Sequence, residues 1–186
     1  MSGAVLWGTL YAALLGVLFV RVRTADAPPP EPALPAPGEP IWLVHVHHAL
    51  VYAVLAGAPL EAGLVGGHAA ARSAGAALCA LGVAGYRLAG RTLGGALSPL
   101  IEPRPGAPLV TRGPYRWLRH PMYLAQALIV LGAPLVLGCR WVLGLAVAAV
   151  AVLVARTLVE ETALARRFPE YRRYAAGTKR LFPFVY

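Results

Sequence analysis

Two stretches, Met122–Cys139 (MYLAQALIVLGAPLVLGC) and Trp141–Ala155 (WVLGLAVAAVAVLVA), flank a single charge at Arg140. Both are uncharged and almost wholly apolar. A helix rises about 1.5 Å per residue, so the first would reach about 27 Å, close to the thickness of a bilayer core. Two such runs in direct succession need a turn between them. Gly132, Pro134 and Gly138 are the residues able to break a helix there. The pair is expected to form a helical hairpin bent between Pro134 and Arg140, its second arm continuing through Glu161.

Three more uncharged runs precede it. Ser2 to Val20 carries no charge, and neither a basic segment before it nor an evident small-residue cleavage site marks it as a secretory signal. Ile41 to Leu60 is uncharged with its histidines neutral, and Ala62 to Tyr86 is broken only by Arg72. The third run is rich in Gly and Ala, which let helix backbones approach closely in lipid. Residues 24–40 are proline-rich and read as an extended connection. No internal repeat is visible. The expected fold is all-α: a polytopic membrane helix bundle of about five spans with a C-terminal hairpin. It forms a single membrane domain, 1–186, with three N-terminal spans in 1–86 and the chemistry-bearing residues in 87–186.

Composition agrees. Of 186 residues 58% are hydrophobic and 13% charged, which excludes a disordered chain. Cys79 and Cys139 are the only cysteines and both sit in apolar runs, which excludes a disulfide scaffold. The formal charge of +9 is not spread over a polar surface, so nucleic acid is not an expected partner. Thirteen of the seventeen basic residues fall in Arg87–Pro121 and in the tail from Arg156. Basic residues mark cytoplasmic segments. Five spans then place the N-terminus outside and the C-terminus in the cytoplasm, with Arg21 and Arg23 on the cytoplasmic side. The expected location is a bacterial cell membrane.

Two polar clusters stand out. Arg112–Tyr123 mixes Arg, His and aromatic residues at the mouth of the fourth run. Pro121 suits the first turn of a helix, which puts His120 near the N-cap and Tyr123 one turn in. Such a segment reads either as an interfacial anchor or as a binding site at a helix N-terminus. Arg156 and Glu160 are four apart and share a helix face. They read either as an ion pair at the membrane surface or as a site, since ionisable groups at membrane depth often mark function. The hairpin makes these clusters neighbours, with Tyr115, His120 and Tyr123 facing Arg156 and Glu160 across one cavity. That convergence favours a site. His45, His47 and His48 form a third cluster. Two of them share a helix face without a carboxylate nearby, so no metal is expected.

The stretch Leu109–Tyr123, with R-H-P-x-Y at Arg119–Tyr123, resembles the signature of the isoprenylcysteine carboxyl methyltransferase and phospholipid methyltransferase superfamily. So do Glu160-Glu161 followed by Leu164, then Phe168, Glu170-Tyr171, Tyr174 and Leu181-Phe182-Pro183. The resemblance covers roughly the last hundred residues. It implies an integral membrane enzyme that takes S-adenosylmethionine into a cytoplasmic pocket formed by the hairpin and the C-terminal segment. Carried over by position, Leu109 and Val110 line the cofactor's approach. Tyr115, His120, Pro121, Met122 and Tyr123 contact it, and Glu160 binds it from the other side. Arg156 matches the arginine implicated in holding the substrate carboxylate and is the catalytic candidate, with Glu161 on the substrate side. Ala125 replaces a frequent glycine, adding a methyl that would narrow the pocket.

The implied reaction is methyl transfer to a lipophilic acceptor, a carboxylate of isoprenylcysteine type being favoured. A carboxylate is already ionised at neutral pH and needs no general base. Positioning alone can then supply several kcal/mol of barrier reduction, and Arg156 offers a fork matched to a carboxylate. The acceptor would enter from the membrane lipid; no obligate protein partner is implied. A phospholipid amine or a thiol is the alternative acceptor, with Glu161 or His120 as the proton-accepting group. Membrane sterol reductases, which use NADPH, share the R-H-P and Tyr pattern but carry another motif in place of Glu160-Glu161. A non-enzymatic membrane subunit would bind no cofactor.

Overall fold

All five uncharged runs supply helix in the computed structural model, which describes residues 3–19, 39–65, 71–98 and 100–181. Helix α1 spans Gly3–Phe19, α2 Ile41–Val65, α3 Arg72–Leu93, α4 Pro121–Leu137 and α5 Trp141–Arg167, followed by a short α6, Tyr171–Gly177. Among the described residues there are no strands, and Leu118 and Lys179 form an isolated parallel bridge. Arg21, Arg23, most of the proline-rich stretch and the Phe182-Pro183 pair lie outside the described residues. α2 and α5 are long and apolar enough to cross a bilayer by themselves. Leu60, Leu64, Leu81, Val147 and Leu158 are exposed along the bundle, where a soluble protein would place polar residues. Trp42 and Trp117 are exposed at one end and Trp141 at the other, as interfacial anchors are.

The hairpin turns where expected. α4 continues through Pro134 and ends at Gly138, whose φ of 75° is the left-handed cap conformation. Its N–H reaches back to the carbonyls of Pro134 and Leu135. The first turn of α5 then needs acceptors for its free N–H groups. Glu61, near the end of α2, supplies them: its carboxylate accepts from the backbone N–H of Arg140 at 2.9 Å, Trp141 at 3.1 Å and Val142 at 2.8 Å. Glu61→Ala removes this cap. It is expected to cost about 1–2 kcal/mol, read as a lower thermal midpoint in detergent, whereas Glu61→Asp retains part of it.

The third run needs correction. Its helix starts at Arg72 rather than Ala62 and extends past Tyr86 to Leu93. Absence of charge misplaced it in both directions. Ala62–Val65 belong to α2, while Arg87 and Arg91 belong to the last turns of α3, where they lie at the bundle's end. The small residues behave as expected. A Cβ added at Gly82 would sit 2.7 Å from the Ala125 carbonyl oxygen and 2.6 Å from Ile129 Cγ1, so α3 and α4 are in backbone contact. Around this pair the core is apolar, with Val54, Cys79, Val136 and Ala146 at its centre.

Helices α2 to α5 alternate in direction. The start of α2 packs against Ile101 and against Ala163 near the end of α5, through Leu43 and Val44. One end of the bundle therefore gathers the start of α2, the end of α3, the start of α4 and the end of α5. Both basic segments lie there.

Candidate active site

That basic end holds a cavity of about 350 Å³, a volume within the range of ligand sites. Its wall is assembled from the residues upward. Pro121 occupies the first position of α4 and His120 is the N-cap. The His120 carbonyl accepts from the N–H of Tyr123 and of Leu124, both at 3.1 Å, so the first turn is closed. Tyr123 stacks on the His120 ring, centroids 5.4 Å apart and planes tilted by 8°. The Arg156 guanidinium lies 5.4 Å from the centre of the Tyr123 ring. Tyr123 thus contacts both an imidazole and a guanidinium, and its hydroxyl donates to Glu160 Oε2. Glu160 Oε1 lies 3.9 Å from His120 Nδ1.

Five candidates read from chemistry and hairpin geometry converge as expected: Tyr115, His120, Tyr123, Arg156 and Glu160 all line the cavity. Leu109, Val110 and Met122 line it too. Arg156 is buried.

Pro121 and Glu161 are placed differently. Pro121 is buried in the helix start and is not among the lining residues. Glu161, also outside the lining, is held by Arg119, just before α4, with Nε 2.7 Å from Oε1, and by the C-terminal segment. Arg180 adds Nε to Oε1 and Nη2 to Oε2, both at 2.9 Å, and His120 Nε2 lies 3.3 Å from Oε1. A carboxylate so engaged clamps the C-terminal segment to the start of α4. Ala125 does not narrow the cavity either. It is buried and turned towards α3, where a Cβ on Gly85 would lie 3.3 Å from its own.

The clamp extends into backbone pairing. Arg119 N donates to Lys179 O at 2.7 Å, Lys179 N to Trp117 O at 3.0 Å and His120 N to Arg180 O at 3.0 Å. Tyr174, on α6, donates its hydroxyl to the Tyr115 carbonyl at 2.6 Å. Burial pushes the Tyr115 and Tyr171 phenols well above their ordinary value, and Tyr174 up to about 12. All three are neutral hydroxyls at physiological pH.

Sequence reasoning missed several lining residues. Phe168, Tyr171 and Tyr174 carried the family resemblance without a role, yet all three face the cavity. Gln126 and His48 also line it. The signal for Gln126 was available: past Tyr123 it is the one hydrogen-bonding side chain in α4. The α3–α4 connection closes one side through Leu97, Leu100 and Pro108. It is tethered by Glu39, whose Oε1 accepts from Ile101 N at 2.6 Å, and by the Arg166–Glu102 ion pair at 2.9 Å. The three N-terminal histidines part company: His45 faces outward, His47 lies in the core and His48 in the cavity wall.

Fold and site together define an all-helical membrane bundle with a ligand-sized cavity of mixed polar and apolar lining at one end. The chain belongs to the phospholipid methyltransferase family, whose profile matches residues 71–171. It is 40% identical over 110 residues to the cobalt-zinc-cadmium resistance protein CzcN of Cupriavidus metallidurans, a stretch covering 57% of this chain and 49% of that protein. The chain thus matches about half the length of this curated relative. Its fold is similar to that of the eukaryotic intramembrane Ras methyltransferase ICMT (isoprenylcysteine carboxyl methyltransferase), with a TM-score of 0.62 at 20% identity. That match covers 97% of this chain and 63% of the other, so the likeness of fold includes helices that precede the family region.

Proposed function

We propose that this protein is a membrane methyltransferase that carries a methyl group from S-adenosylmethionine to a lipophilic acceptor bearing a carboxylate. The observation that carries this reading is the column His120–Tyr123–Arg156 with Glu160 beside it, lining one cavity at the basic end of the bundle. By the positive-inside rule that end faces the cytoplasm, which leaves the N-terminus outside.

The residues present fit the cofactor. Glu160 is a carboxylate matched to its amino group or ribose hydroxyls. Tyr115, Met122 and Val110 give an aromatic and apolar wall for a flat base. When bound, S-adenosylmethionine supplies a methyl group on a sulfonium that leaves as a neutral thioether. The chain's own work is positional. Tyr123 orients Glu160 through its hydroxyl. Arg156, one helical turn deeper on the same face, presents its fork to the acceptor carboxylate. No proton has to move, so Glu161 is available for its structural clamp. Leu109 and Val110 lie at the approach, with His120 and Pro121 setting the helix start behind them.

Calorimetry on the purified protein in detergent tests the cofactor half. S-adenosylmethionine or its demethylated product is expected to bind, and Glu160→Ala is expected to abolish detectable binding. No heat from the wild-type protein overturns the reading. A radiolabelled methyl-transfer screen against lipid extracts and prenylated thiols tests the acceptor half.

A further inference from the structure

We infer that His48 and Gln126 complete the acceptor end of the cavity and, with Arg156, select an anionic acceptor group. The inference rests on the proposed methyl transfer and specifies what that site admits.

The depth of each group follows from its helix. Glu160 is one turn nearer than Arg156 to the mouth, since α5 runs towards the basic end. On α4, which runs inward, Gln126 lies one turn deeper than Tyr123. On α2, also inward, His48 lies two turns from the start. Arg156, Gln126 and His48 therefore form the deep floor, and all three line the cavity. Behind them His47, 1% exposed, neighbours Gln126 and Ala149. The His47 and His48 rings lie 5.8 Å apart, and Tyr52 stacks beside His48 with centroids 6.3 Å apart.

The floor offers donors from all three side chains. A guanidinium only donates, while an amide and an imidazole can each donate or accept. The two carboxylates of the lining, Glu102 and Glu160, are engaged nearer the mouth, by Arg166 and by Tyr123. Nearer the mouth the lining carries both signs, Glu102 and Glu160 with Arg104 and Arg119, whereas the floor holds the Arg156 cation and no carboxylate. Polar groups at membrane depth are costly to keep, so three from three different helices on one floor mark a ligand position. A carboxylate offers two oxygens with about four lone-pair directions. The Arg156 fork takes one side, and His48 and Gln126 are placed to take the rest. A protonated amine would face the guanidinium and is disfavoured by like charge.

The test uses the full chain in lipid nanodiscs with radiolabelled S-adenosylmethionine. Three probes serve: an N-acetyl-S-farnesylcysteine carrying the free carboxylate, phosphatidylethanolamine vesicles, and a long-chain alkyl thiol. His48→Leu and Gln126→Leu are each expected to raise KM for the carboxylate probe about tenfold, the loss of one hydrogen bond to a charged group. Cofactor affinity, measured by calorimetry, is expected to stay unchanged, and His48→Gln to restore KM. Unchanged KM in both leucine variants, with an active wild type, overturns this inference and leaves the methyltransferase reading intact. Loss of cofactor affinity together with KM also overturns it, because the two residues would then act on the fold. Methylation of the amine or thiol probe but not the carboxylate overturns both this inference and the carboxylate reading.

Discussion

Arg156→Ala is expected to lower kcat/KM for a carboxylate acceptor by about 10²–10³-fold while leaving cofactor affinity within about twofold. The asymmetry follows from where Arg156 sits. It packs over the Tyr123 ring, and the Tyr123 hydroxyl reaches Glu160, one turn along α5. Removing the guanidinium takes away the fork proposed to align the acceptor but leaves the hydroxyl–carboxylate pair. Arg156→Lys keeps the charge without the planar fork, so it is expected to recover only part of the rate. Kinetics paired with calorimetry on the same preparations check this. An unaffected rate rules out the role given to Arg156. A parallel loss of affinity would make it a cofactor-site residue instead.

The second large effect concerns stability. Glu161→Ala leaves Arg119, Arg180 and His120 around a vacated position, each within 3.3 Å of where its carboxylate was. Its side chain is 13% exposed, as is that of Arg119. Removing one partner from a largely buried charge cluster costs about 3–5 kcal/mol. The C-terminal segment is expected to detach from residues 117–120, taking α6 and the Tyr174–Tyr115 contact with it. Thermal midpoint and cofactor affinity should therefore fall together, unlike the Arg156 variant. Glu161→Gln, which keeps the shape and one acceptor oxygen, is expected to lie between. A full loss of methyl transfer with an unchanged midpoint would return Glu161 to the substrate side.

These two neighbours show what could be read from the sequence. Glu160 and Glu161 are adjacent letters, yet on a helix they point about 100° apart. Their different duties depend on what packs against each face. The partners of Glu161 come from Arg119 and Arg180, which no local pattern pairs with it. Pro121, His120 and the Gly138 turn were legible because helix starts and stops are set by the residues themselves. The convergence on the cavity followed from the hairpin alone. Ala125 was misjudged because its orientation depends on how closely α3 approaches, which Gly82 and Gly85 decide from forty residues away in the chain. The start of α3 was misplaced for a related reason. Charge-free length does not separate the end of one helix from the beginning of the next.

The bridge between Leu118 and Lys179 bears on how the protein is made. Synthesis completes α1 to α4 well before residues 178–181 exist. Chains fold from the N-terminus as they emerge. The first four helices can therefore begin to insert first, while Arg119 and His120 wait for Lys179 and Arg180. Only when that late segment docks do Glu161 and the tyrosines of α6 settle into place. Membrane insertion and closing of the cavity wall are thus separate events in time, and a chain stopped short of Lys179 is expected to insert yet lack the Glu161 clamp.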